Sequence, residues 1–212
     1  MRTESFGPLT LTVIGPMQDE VQKLHVDWDR KLRELNSADS PGAAAQIADY
    51  LDRSVYNLSS IVVMAELDSK RMLLTGDARG NLILTGLRRA GLLSDADDGP
   101  PLKVELLKLP HHGSDRNVRD DFFKRIHARH YVVSGDGSNK NPSPATLAMI
   151  ARSRPDDEFT IHLTYETMKQ GVDEDLAAQF DADRQAGRSY RVVYRPAADL
   201  SLKVDLLDAI NY

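Results

Sequence analysis

Between Leu102 and Asn117 the chain reads LKVELLKLPHHGSDRN, and no other stretch limits its fold as strongly. Val104, Leu106, Leu107 and Leu109 form an apolar run of strand length that ends at Pro110, which has no amide hydrogen to give to a sheet. Two adjacent histidines, His111 and His112, follow with Gly113 and Ser114. The pattern predicts a helix beyond them, capped by Ser114 or Asp115, with Val118, Phe122 and Ile126 on one face. A strand that delivers imidazoles to a strand-to-helix turn is where α/β proteins place ligands.

Similar alternations mark the rest of the chain. Leu9 to Ile14 reads as a half-buried strand stopped by Gly15-Pro16. Asp19 to Leu35 reads as an amphipathic helix with Val21, Leu24, Trp28, Leu32 and Leu35 on one side. After the break NSADSPG, AAAQIADYLDR predicts a second, short helix. Ser59–Leu67 and Arg71–Thr75 form an expected hairpin joined by Asp68-Ser69-Lys70. A helix from Leu82 to Ala90 ends at Gly91, and SDADDGPP is a surface loop. Further on, strands are expected at Tyr131–Val133, Phe159–Leu163, Tyr190–Tyr194 and Leu200–Leu206. Helices are expected from Ser143-Pro144 through Ile150 and from Asp173 to Arg184. Strands alternating with helices, plus hairpins, give a layered α/β fold in a single domain.

Composition removes several function classes. The 212 residues carry 27 basic and 32 acidic side chains, a net charge of -5, so no global cationic field recruits nucleic acid or an anionic membrane. The absence of cysteine leaves His, Asp and Glu as the metal ligands on offer. No apolar run reaches bilayer-spanning length and MRTESFGP has no secretory h-region, which places the chain in the cytoplasm.

Three strand-end loops hold the polar residues a metal site uses: Asp77 after RMLLTG, the His111-His112 pair, and Ser134, Asp136 and Asn141 after HYVV. A carboxylate and an imidazole on neighbouring strand ends can bind zinc or manganese, and the ion then supplies a nucleophile by acidifying bound water. Gly113, without a Cβ, permits close approach of backbone to a ligand. Lys108, Arg116, Arg79 and Lys140 lie near enough in sequence to hold a phosphate.

The series NLSSIV (57–62), LLTGD (73–77) and LKLPHHGS (107–114) resembles the C-terminal half of the metallo-β-lactamase superfamily, in particular the branch with the metallohydrolase domain of the DNA-uptake protein ComEC. The resemblance implies the C-terminal half or more of an αββα sandwich, and a metal-dependent hydrolase whose metal-bound hydroxide attacks a phosphoester or other ester-like bond. It places Asp77 as a metal ligand and the last histidine ligand on His112 or His111, with His112 preferred. His111 and Ser114 would then line the pocket, and Asn57 would position water or substrate. The His-x-His-x-Asp-His block of that superfamily has no complete copy here. His25-Val26-Asp27-Trp28-Asp29-Arg30 imitates a variant of it inside a predicted helix and ends in Arg. The implied remedy is that residues 1–212 form one domain incomplete at its N-terminal side. The missing ligands would come from an N-terminal half or a partner chain, or else the domain is a degenerate binding module without metal. Nucleic acid fits the resemblance but not the net charge.

Overall fold

The computed structural model describes residues 2–36, 59–154 and 158–207; Asn57 and the helix expected over AAAQIADYLDR lie outside them. The architecture is mixed α/β, with one eight-stranded sheet and five helices among the described residues. In chain order these are β1 (Thr3–Phe6), β2 (Leu9–Gly15), α1 (Gln18–Asn36), β3 (Val62–Leu67), β4 (Lys70–Leu74) and α2 (Gly80–Arg89). There follow β5 (Leu102–Lys108), α3 (Asp120–Arg125), β6 (Ile126–Val133), α4 (Pro144–Ser153), β7 (Thr160–Leu163), α5 (Val172–Gln185) and β8 (Arg191–Tyr194).

The strands lie in the sheet in their sequence order. β1 to β4 form an antiparallel meander, and β4 to β8 run parallel. Each parallel step needs a crossover, and right-handed crossovers between adjacent strands put α2 to α5 on one face. The register explains the core: Met64, Leu73, Leu107, Tyr131 and Ile161 are aligned neighbours across five strands and are fully buried. The opposite face carries Met72, Leu106 and Val132 half-buried and Leu74 exposed. Two histidines lie in that face, with His130 Nδ1 2.9 Å from His162 Nε2.

Several expectations change at element ends. The helix after the histidine loop is only six residues long, and it begins behind Arg119 rather than behind Ser114 or Asp115. Ile126 is its C-cap and opens β6, so the every-fourth-residue spacing of Val118, Phe122 and Ile126 spans a loop, a helix and a strand. All three are buried nonetheless. Asp68 and Ser69 alone make the β3–β4 turn, both at positive φ, the geometry that matches strand twist in a two-residue hairpin. No strand forms over 200–206; instead Arg195 donates to the carbonyls of Pro196 and Asp199 and folds the chain back. Among the described residues no helix is long and apolar enough to cross a membrane.

Candidate functional site

Four parallel strands, β4 to β7, present their carboxyl ends on the same edge of the sheet, and backbone bonds tie the loops that leave them. Thr75 Oγ1 donates to the Lys108 carbonyl (2.6 Å), joining the ends of β4 and β5. The His111 amide donates to the Gly76 carbonyl at 3.1 Å, and the Ser143 amide to the Gly113 carbonyl at 3.0 Å. Thr164, after β7, donates its amide to Val133 (3.2 Å) and accepts from the Gly135 amide (3.2 Å). The result is a cavity of about 310 Å³ at the strand ends. Asp77 comes from the β4 loop, His111 and His112 from the β5 loop, Ser134 to Asn141 from the β6 loop, and Tyr165 from the β7 loop. The three loops singled out in the sequence thus meet in one place.

The histidine turn is held in an unusual backbone. His111 (φ 45°) and His112 (φ 56°) are both left-handed, a conformation that costs an L-residue roughly 1–2 kcal/mol. Gly113 continues the turn at φ 79°, where a Cβ would meet Pro142 and Val133. The missing side chain therefore makes room for the neighbouring loop, not for a ligand as its position in the motif predicts.

His112 is oriented as metal-binding imidazoles are. Its Nδ1 lies 2.5 Å from the Ser134 carbonyl, which can only accept, so Nδ1 carries a hydrogen and the neutral form of the ring has its lone pair on Nε2. Nε2 points at Asp77 Oδ1, 3.8 Å away. Two acceptors facing each other repel unless a cation or proton is shared, and this span is one that two ligands of a single ion, at about 2.0–2.2 Å each, can bridge. Asp77 is steadied by its own amide, which donates to Ser60 Oγ at 3.1 Å. The donor set stops there: among the described residues no group of three His, Cys, Asp or Glu side chains is placed to hold a metal. Asp77 and His112 fit a divalent ion as two ligands of an incomplete set.

Asp136 lines the cavity but is engaged, accepting from Lys169 Nζ (2.6 Å) and the Ser138 amide (3.0 Å); chiefly the Lys169 bond holds its carboxyl well below the usual range. Lys108 Nζ is turned to the carbonyls of Leu109 (3.0 Å) and Gly76 (3.4 Å), and burial lowers its pKa against the opposing pull of Asp77. Neither Lys108 nor Arg79, Arg116 or Lys140 is among the cavity's lining residues. Ser114 is buried, its amide bonded to the His111 carbonyl, and does not line the cavity either. His25 lies exposed on α1, and Asp27 pairs there with Arg30. Gly135, Ser138, Asn139 and Tyr165 also line the cavity and stand outside the residues singled out in the sequence. Their signal was position alone, since each follows a parallel strand as Asp77 and His111 do.

No family model matches the chain, and no solved structure matches it. A stretch of 68 residues, 31% of this chain, is 41% identical to microtubule-associated protein 1A of Mus musculus. Another match, 39% over 70 residues, is to the microtubule-associated protein futsch of Drosophila melanogaster. The matched stretch spans about 2% of the length of the mouse protein and 1% of the fly protein.

Proposed function

We propose that the chain contributes one side of a divalent metal site in a hydrolase of the metallo-β-lactamase type, acting on a phosphoester or other ester-like bond. The observation that carries this reading is the His112 geometry: Nδ1 is fixed by the Ser134 carbonyl, and Nε2 is directed at Asp77 from 3.8 Å. Zinc, or manganese in its place, would supply Lewis acidity and an acidified water at that point. Asp77 and His112 hold the ion, Ser134 and Ser60 orient them, and His111 faces substrate from the same cavity. The remaining donors come from outside the described residues, whether from an N-terminal half or a partner chain. Zinc titration of the purified chain tests the pair: Asp77→Ala and His112→Ala each weaken uptake at least about tenfold, while His111→Ala leaves it unchanged. Equal affinity in wild type and all three variants removes the reading.

A second reading is a non-catalytic partner module on the same scaffold. It is supported by the two-donor set and by the likeness to proteins named for their association with microtubules. Co-sedimentation with polymerised tubulin, unaffected by Asp77→Ala, is the outcome that favours it.

A further inference from the structure

Tyr165 is the aromatic residue other than histidine that lines the cavity. The residue is 42% exposed. The Arg195 guanidinium covers it, 5.5 Å from the ring centroid. That guanidinium is itself anchored: Nε donates to the Thr164 carbonyl at 2.8 Å, and Nη1 to the carbonyls of Pro196 and Asp199. The Arg195 amide bonds to Leu163 at 2.9 Å, and Thr164 is bound to the end of β6 on its other side. Arginine and tyrosine thus form a stack that is ordered before any ligand arrives.

We infer that Tyr165, backed by Arg195, is a stacking platform for a planar heteroaromatic ring of nucleobase type, and so sets the ligand specificity of the cavity. An aromatic face with a charged group fixed behind it favours another π-face in front. The neighbouring wall explains why the ring is heteroaromatic. Asn139 and Asn141 bring amide donors and acceptors to the lining of the same cavity, and a hydrocarbon ring offers these nothing to bond. The inference rests on the strand-end cavity being the functional site, as proposed above, but stacking itself needs no metal.

Adenosine and ribose, titrated separately into the purified chain without metal and followed by NMR chemical shifts, separate the two ideas. Adenosine is expected to saturate a site that includes Tyr165, and ribose to give no binding. Tyr165→Ala weakens adenosine roughly 5- to 100-fold, and Tyr165→Phe, which keeps the ring, stays within about twofold with an unchanged melting temperature. The inference is overturned if Tyr165→Ala binds adenosine like wild type, if ribose binds as well as adenosine, or if adenosine does not bind at millimolar concentration. It is also overturned if benzyl alcohol binds as tightly as adenosine. Because these titrations contain no zinc, loss of the metal reading and loss of the platform appear in different experiments.

Discussion

His130 and His162 each expose less than a tenth of their surface, and burial lowers the pKa of both. Glu105 raises His130 and Arg129 lowers it, while His130 and Arg191 add to the drop at His162, which is pushed down to about 4. His162 Nδ1 is buried without a partner among the described residues, so the ring has little to gain from a second proton. In the unfolded chain the same ring titrates near 6.5. Between those values the unfolded state binds more protons, so stability is full above about pH 7 and is lost as the pH falls toward 4. The loss from His162 alone is about 2–3 kcal/mol. A series of urea midpoints from pH 7 to pH 4 should show that slope in wild type and a flatter one in His162→Phe; an unchanged slope places the acid sensitivity elsewhere. At the same scale, Asp77 and His112 were legible because a strand, a proline and a short polar run reveal a loop. Ser134, the partner of His112, was legible as a loop residue but not as the carbonyl that places a hydrogen on Nδ1, since backbone acceptors leave no mark in a sequence.

Helix α2 rests on β2 through Gly86, a residue that helix propensity alone would replace with alanine for a gain of about 1 kcal/mol. A Cβ there would fall inside contact with the Ile14 carbonyl and Cγ2. Gly86→Ala is therefore expected to lower the urea midpoint; a rise would mean that α2 and β2 do not approach as described. Elements as a whole were read well where a long period covered them, as in α1, β2, β5 and α5. The errors fall where one element runs into the next without a break. Ile126 satisfies the spacing of α3 while belonging to β6, because a six-residue helix gives fewer than two turns of pattern to read. β1 escaped notice because all four of its residues are exposed, so no burial alternation marks it.

At the scale of the molecule, the described residues put one face of the sheet under helices and leave the other bearing half-buried Met72, Leu106 and Val132 beside exposed Leu74. Apolar surface of that kind binds hydrophobic dyes. The native chain should enhance anilinonaphthalene sulfonate fluorescence at neutral pH, and Leu74→Glu should reduce it; no enhancement would indicate that the face is covered. The α/β class followed from alternating strand and helix patterns, whereas strand order did not, because a sequence of βα units is compatible with several windings of a sheet. The observed order has every strand beside the one that precedes it in the chain. Among the described residues each new strand thus meets a template already laid down, and none has to wait for a later segment to be inserted between existing neighbours. Such a sheet can be assembled vectorially, strand by strand, at the pace at which a ribosome releases it.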